Sequence, residues 1–332
     1  MKKQNITVLG AGSWGTALAI LLAKNGHDVL LWGRNKEKIA AMQSAGENTY
    51  FLPGIAFPET LNLTSDLQQA VFQSDDILVV VPSHAFRDTL LHISTIKPAI
   101  QGISWATKGL EPGTHQLLHQ VVDELFPNLS RKAVISGPTF AAEVAMGLPT
   151  AVTIASNDIN YAQHFAELLC NATLRPYVSQ DIIGLEIGGA AKNVMAIAAG
   201  IADGLGYGAN TRSALITRGL HEISRLSDKL GGENQTMMGL SGLGDLLLTC
   251  TDDQSRNRRM GLAIGSGKTI EQAEVEIKQV VEGVQAARQI YFMAKELKIE
   301  MPIVEQVYQV LYQGLDPKKA VKNLLTREYK TE

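Results

Sequence analysis

Gly10-Ala-Gly12-Ser-Trp-Gly15 stands directly behind a short apolar run and directly before a helical stretch, Thr16–Lys24. Glycines at this spacing permit a tight turn, a close approach of phosphate to the backbone, and tight packing of helix on strand. The helix N-terminus then faces a pyrophosphate. The N–H groups of Ser13 and Trp14 are placed to meet it. Roughly 20 residues past the glycines, where an acidic side chain would bind a ribose 2′-hydroxyl, the second apolar run ends in Leu31-Trp-Gly-Arg34. A guanidinium suits a 2′-phosphate, so NADPH is expected to serve at least as well as NADH.

Gly188-Gly-Ala-Ala-Lys192-Asn-Val-Met-Ala-Ile-Ala-Ala-Gly200 puts one ammonium into an otherwise small and apolar helix. Lysine is rarely buried without a reason. Helical side chains lean back over the positions three and four residues earlier, here Gly189 and Gly188, which predicts open space able to admit a ligand. A desolvated ammonium gives up its proton more readily, which fits Lys192 to protonate a carbonyl or deprotonate an alcohol. The plain alternative is a lysine snorkelling at a domain surface. Asp203 lies about 16 Å further along the helix axis, too far to pair with Lys192, and reads as a structural group at the helix end.

Gly239-Leu-Ser-Gly242-Leu-Gly244-Asp245 is followed by Ser255-Arg256-Asn257-Arg258-Arg259 and a helical pattern from Met260. Ser255 suits an N-cap, and a helix start with Arg256 beside it suits a phosphate monoester; a capped, solvated basic turn would look the same. Asp245, on a loop of three glycines, is open to two roles: orienting Lys192 or accepting a substrate hydroxyl. Lys108, in Thr107-Lys-Gly-Leu-Glu111, ends another apolar run. Ser136-Gly137-Pro-Thr139-Phe140 offers N–H and hydroxyl donors, with Pro138 fitting a first helical turn.

The elements that must position these groups fall into two patterns. Up to about residue 180, Val- and Ile-rich runs alternate with amphipathic stretches, the mark of an α/β, Rossmann-type, doubly wound parallel sheet. Expected strands are Ile6–Leu9, Val29–Trp32, Ile77–Val81, Gly102–Ala106, Ala133–Ser136 and Ala151–Ala155, and their C-terminal ends carry the groups above. Continuous apolar runs of this kind are buried on both faces. From residue 181 the chain turns alanine- and glycine-rich and helical, with helices expected over Leu185–Asp203, Arg212–Leu230, Gly261–Ser266 and Val284–Lys298. The domains are therefore 1–180, binding NAD(P), and 181–332, all helical and carrying substrate and catalysis.

The 332 residues suit two domains. With 30 Lys and Arg against 33 Asp and Glu, the net charge of −3 offers no global basic surface for nucleic acid. The apolar share of 45% with 19% charged residues excludes a largely disordered chain. Cys170 and Cys250, far apart in the chain, exclude a disulfide framework or zinc knuckle as the organising feature, and no metal is expected. Met1-Lys-Lys-Gln-Asn5 leads straight into the first apolar run without a signal-peptide core, so the cytoplasm is the expected compartment. The Gly188–Ala202 run, interrupted by Lys192 and Asn193, is expected to be a buried helix rather than a membrane span.

Together these residues resemble the bacterial NAD(P)-dependent glycerol-3-phosphate dehydrogenase family over about residues 5 to 325. The resemblance rests on Gly10-Ala-Gly-Ser-Trp-Gly-Thr-Ala17, Lys108-Gly-Leu-Glu111, Gly137-Pro-Thr-Phe-Ala141, Gly189-Ala-Ala-Lys192-Asn-Val-Met-Ala196, Gly242-Leu-Gly-Asp245, Ser255-Arg-Asn-Arg258 and Val281-Glu-Gly283, in that order. It implies interconversion of dihydroxyacetone phosphate and sn-glycerol 3-phosphate with NADPH or NADH, supplying glycerol 3-phosphate for phospholipid synthesis. Lys192 would be the catalytic acid/base. Lys108, Gly137, Thr139, Lys192, Asp245, Ser255, Arg256 and Asn257 would contact substrate. Besides Gly10, Gly12 and Gly15, the cofactor contacts would be Ser13, Trp14, Arg34, Lys108, Ala141, Arg256, Val280 and Glu282. The expected partner is a small phosphate substrate, without nucleic acid or membrane insertion, in a homodimer. A related two-domain hydroxyacid or sugar-phosphate dehydrogenase is the rival enzyme, and a non-catalytic dinucleotide sensor the rival of another class.

Overall fold

A computed structural model describes residues 3–326; residues 1–2 and 327–332, which the expected domains include, lie outside the described range. The chain divides into two compact units. One runs to Glu111 and resumes from Gln116 to Leu185, while the other takes in Pro112–His115 and the chain from Glu186 onward.

The strands of the first unit are β1 (Asn5–Leu9), β2 (Asp28–Trp32), β3 (Glu47–Asn48), β4 (Leu52–Ala56), β5 (Leu61–Thr64), β6 (Asp76–Val79), β7 (Ile103–Trp105), β8 (Lys132–Ser136), β9 (Thr150–Ser156) and β10 (Leu174–Ser179). Eight of them form one sheet in the order β10-β9-β8-β7-β6-β1-β2-β5, and β3 pairs with β4 in a separate antiparallel hairpin. This is the doubly wound sheet expected, with its switch point between β1 and β6. Alternate residues supply two cores. Ile6, Val8, Val29, Leu31 and Leu78 face one, and Leu9, Ile77, Val79 and Trp105 the other. Burial on both faces is why these strands read as unbroken apolar runs.

The sheet departs from the expected pattern in two respects. β9 runs antiparallel to β8, whereas every other neighbouring pair is parallel. The only helix between them, Ala141–Met146, has six residues. It rises about 9 Å, too little to carry the chain back along a strand before β9 begins. Strands β3, β4, β5 and β10 were also not foreseen. β10 reads Leu-Arg-Pro-Tyr-Val-Ser and both β5 and β10 lie at sheet edges, where one side needs no apolar cover and the periodicity weakens.

The second unit is built from helices, with no strand among its described residues. Its helices are the continuation of Ile182–Gly204, then Ala209–Leu230, Asn234–Met237, Asp245–Thr251, Arg256–Gly265, Ile270–Ile277, Glu282–Glu296, Pro302–Gln313 and Pro317–Leu325. The first of these is long and apolar enough to cross a membrane, yet 89% of its most apolar window is buried inside the protein. It is a core helix, as the sequence suggested.

Glycines set how closely this helix is approached. A Cβ on Gly200 would strike the Arg258 carbonyl oxygen and lie 3.0 Å from the Gly261 Cα, and one on Gly204 would lie 3.0 Å from the Gly265 Cα. The relation is reciprocal: a Cβ on Gly261 would lie 2.8 Å from the Ile201 nitrogen, and one on Gly265 3.0 Å from the Gly204 Cα. The Ile182–Gly204 and Arg256–Gly265 helices therefore touch backbone to backbone. Elsewhere in the unit, buried Glu222 accepts the N–H groups of Ile303 (2.8 Å) and Val304 (3.3 Å), capping a helix that has no side-chain cap of its own.

Because the obstacles are backbone atoms, Gly200→Ala or Gly261→Ala is expected to destabilise the protein by about 3 kcal/mol, the upper part of the usual overpacking range. Urea denaturation followed by circular dichroism measures this, and a loss below the error of the extrapolation would show that the helices separate at little cost.

Candidate active site

The first unit gathers its candidate residues at the C-terminal edge of the sheet. Gly10 ends β1 with φ +125° and donates its N–H to the Trp32 carbonyl at 2.9 Å. A Cβ there would lie 2.6 Å from the Val80 carbonyl oxygen, and one on Gly15 would collide with the carbonyl of Gly10. Gly12 differs, because a Cβ built on it meets nothing within 4 Å. The chain's own packing thus requires the first and third glycines, while the second borders open space of the kind a bound phosphate needs. The Ser13–Lys24 helix starts with no side-chain cap, leaving its first N–H groups and its positive dipole end toward that space. These features fit a dinucleotide pyrophosphate.

Arg34 follows β2, is exposed, and makes no ion pair among the described residues. Next to it Asn35 caps the Lys36–Ala45 helix, accepting from the Lys38 N–H at 2.7 Å. Further along the edge the structure brings Lys108, Gly137 and Thr139 together. The Lys108 Nζ donates to the Gly137 carbonyl at 3.2 Å, and the Thr139 hydroxyl donates to the same oxygen at 3.3 Å. Gly137 has φ +142°, and a Cβ on it would lie 3.1 Å from the Val152 Cα. Ala141 opens the next helix. Behind Lys108, buried Glu111 is gripped by the Arg87 guanidinium, which also reaches Glu124 at 2.8 Å and Gln116 at 3.0 Å. These carboxylates hold the Arg87 pKa above its usual range.

In the second unit Lys192 is 6% exposed and its ammonium bonds directly to Asp245, which is fully buried. Of the two roles left open for Asp245, contact with the lysine is thus present. Thr249, one turn on, donates its hydroxyl to the Asp245 carbonyl at 2.6 Å and lies 3.5 Å from the carboxylate. A carboxylate in contact favours the charged ammonium, opposing the effect of desolvation. Cys250, in the same buried shell, has its thiol pushed up to about 12 by burial, so it stays protonated at neutral pH and does not compete as a base.

The open space expected over Gly188 is not there. A Cβ on Gly188 would strike the Ser241 carbonyl oxygen, because Leu240–Gly244 is a single wide π turn laid against the lysine helix rather than an open loop. The glycine serves this close approach. Asp203, near the end of the lysine helix, pairs with Arg212 at 2.9 Å and with Arg258, in keeping with a structural group.

Ser255 caps the Arg256–Gly265 helix by accepting the Arg258 N–H at 3.2 Å. The Arg256 guanidinium donates to the Val280 carbonyl at 3.0 Å, and its pKa is lowered, mainly by burial, with Glu282 acting in the opposite sense. The expected Arg256, Val280 and Glu282 are thereby neighbours. The Asn257 side chain is committed internally: its amide donates to Asn193 at 2.8 Å and its oxygen accepts the Gly283 N–H at 2.9 Å. What it can offer an anion is chiefly its backbone N–H. Asn193 and Thr249 are further members of the site that no sequence motif singled out. Asn193 stands beside Lys192 on an apolar helix and Thr249 one turn from Asp245, so helical spacing was the available signal.

Residues 5–162 and 181–322 match the family descriptions of NAD-dependent glycerol-3-phosphate dehydrogenase N-terminus and C-terminus, respectively. The chain belongs to that family. It is 55% identical over 328 residues to the glycerol-3-phosphate dehydrogenase [NAD(P)+] of Colwellia psychrerythraea, covering 98% of each chain. The crystal structure of glycerol-3-phosphate dehydrogenase from Coxiella burnetii is similar with a TM-score of 0.95 at 47% identity, over 98% of this chain and 99% of that one. D-mandelate dehydrogenase, at 14% identity and a TM-score of 0.62 over 93% of this chain and 98% of that one, shares the fold. In this family member, then, a charged pair lies buried beside a capped helix start.

Removing either member of that pair strands the other in an apolar interior. Lys192→Met or Asp245→Leu is expected to lower the unfolding free energy by about 3–5 kcal/mol, and the double variant to recover most of the loss. Denaturant titration of the four proteins forms the cycle, and strictly additive losses would show that the two charges do not stabilise each other.

Proposed function

We propose that the protein interconverts dihydroxyacetone phosphate and sn-glycerol 3-phosphate with NADPH or NADH. The observation that carries this reading is the buried Lys192–Asp245 contact in a family member whose second unit also presents the Ser255–Asn257 helix start.

A bound nicotinamide dinucleotide supplies or accepts the hydride at C2. Lys192 donates its proton to the alkoxide that develops there, and takes it back in the reverse direction. Asp245 holds the direction of the ammonium, and the Thr249 hydroxyl bonds the Asp245 backbone carbonyl one turn back. The substrate phosphate is taken by the N–H groups of Arg256 and Asn257, the Ser255 turn and the Arg256 guanidinium, where charge-assisted bonds and the helix dipole act together. Lys108, Gly137 and Thr139 contact the substrate from the first unit. Ser13, Trp14, Arg34, Lys108, Ala141, Arg256, Val280 and Glu282 contact the cofactor, with Arg34 meeting the 2′-phosphate of NADPH. The domains are 1–180 for the dinucleotide and 181–332 for substrate and catalysis. The product feeds phospholipid synthesis in the cytoplasm, and the enzyme works as a homodimer without nucleic acid or membrane partners.

Initial rates of NADPH and NADH oxidation with dihydroxyacetone phosphate, and with unphosphorylated dihydroxyacetone as control, test the reading. Turnover is expected only with the phosphate. Reduction of keto acids or of other sugar phosphates in its place would move the assignment to the rival dehydrogenases. Lys192→Ala, assayed where circular dichroism shows it folded, is expected to lose about 10²–10⁴-fold in kcat while still binding NADPH. Arg34→Asp is expected to raise the KM for NADPH by about tenfold or more and to leave that for NADH nearly unchanged; equal KM values for wild type and variant would remove Arg34 from the 2′-phosphate.

A further inference from the structure

The β3–β4 hairpin, which no sequence pattern announced, is tied to the glycine turn by one buried amide. Asn48 is 1% exposed. Its Nδ2 donates to the Ala11 carbonyl at 3.2 Å and to the Thr16 hydroxyl at 2.8 Å, and its Oδ1 accepts the Phe51 N–H at 3.1 Å. A second link runs from the Ser13 hydroxyl to the Phe51 carbonyl at 2.8 Å. Residues 11, 13 and 16 of the turn are thus fastened to residues 48 and 51 of the hairpin, on both sides of Gly12.

Planarity of the peptide gives the first of these bonds a consequence. In a trans peptide the carbonyl of one residue and the N–H of the next point in opposite directions. Holding the Ala11 carbonyl toward Asn48 therefore turns the Gly12 N–H away from the hairpin. Gly12 has φ −80° and ψ −175°, an ordinary extended conformation, so glycine's wide backbone freedom would otherwise let this peptide rotate. Thr16, whose hydroxyl takes the other Asn48 proton, donates its own N–H to the Gly12 carbonyl at 2.9 Å. Of the two peptide planes flanking Gly12, one is held by Asn48 directly and the other by Thr16, whose hydroxyl Asn48 bonds in turn.

We propose that Asn48 is a positioning residue for the dinucleotide: its side-chain amide locks the Ala11–Gly12 peptide and the start of the Ser13–Lys24 helix in the orientation that meets the pyrophosphate. This rests on the reading that the first unit binds NAD(P)H. Asn48 touches neither the cofactor phosphates nor the reacting atoms, and its effect falls on cofactor affinity rather than on the chemical step.

Titration of NADPH by protein fluorescence, without substrate, separates the possibilities, with steady-state rates measured alongside. Asn48→Asp keeps the acceptor for Phe51 but loses both donors and sets a carboxylate against the Ala11 carbonyl. Its Kd for NADPH is expected to rise by about tenfold or more, with kcat at saturating NADPH within about twofold of wild type. The KM for dihydroxyacetone phosphate should not move. Thr16→Val removes one bond without changing volume and guards against a misfolded Asn48 variant; it is expected to raise the same Kd by a smaller factor. Unchanged Kd in the folded variants overturns the positioning role while leaving the enzyme assignment intact. A fall in kcat with Kd unaltered overturns it as well. Wild-type protein that fails to bind NADPH would instead bring down the functional reading, and this proposal with it.

Discussion

The arrangement of the second unit depends on two helices meeting without side chains between them. Gly200 and Gly204 on one helix face Gly261 and Gly265 on the other, and Cβ atoms at any of the four would overlap or press against the opposing backbone. Contact at this range fixes the relative height of the helices to within a fraction of a turn, since sliding by one residue would bring larger side chains into the crossing. One helix carries Lys192 and the other begins at Ser255-Arg256-Asn257. The separation of the buried Lys192 ammonium from the helix start that Ser255 caps is therefore set by packing rather than by loops.

Around that crossing, polar contacts fix what sterics leave free. The Asn193–Asn257 amide bond joins the two helices directly, and the Asn257 oxygen extends the link to Gly283 at the start of a third helix. Gly283 is itself obliged to be small, since a Cβ would lie 2.7 Å from that same Asn257 oxygen. A half-satisfied polar cluster in so dry an environment would be costly, whereas a satisfied one specifies a single geometry. The Lys192–Asp245 contact belongs to the same class. Its two charges are tolerable in an apolar shell because each neutralises the other.

The first unit solves a different problem by similar means. Its glycine turn leads into a helix whose start no capping side chain stiffens. Rigidity comes from beside the turn. Gly10 and Gly15 are clamped sterically, and Asn48 and Ser13 hold the peptides in between to the β3–β4 hairpin. Lys108 is handled likewise: its ammonium is held at the Gly137 carbonyl, and the loop behind it is anchored by Glu111 on Arg87.

Much of this was legible from residue order. Apolar runs buried on both faces announced β1, β2, β6, β7, β8 and β9, and the glycine spacing behind β1 announced the turn, because both signals are local. Lys192 stood out because a single charge in a small, apolar helix is improbable unless something compensates it. What compensates it, Asp245, was in view as a candidate, but its contact with the lysine depended on a π turn that no local pattern encodes. The space imagined over Gly188 was filled by Ser241 for the same reason: a glycine reads alike whether it admits a ligand or another segment's backbone. Strands β5 and β10, the antiparallel turn of β9 and the hairpin bearing Asn48 were hidden because edge strands and short crossovers obey neighbours distant in the chain. Residue types and their spacing thus marked the candidate residues and most of the elements that carry them. Which backbone came within reach of which side chain was decided by close packing of the folded chain, where a missing Cβ or a buried amide acquires meaning only from its opposite partner.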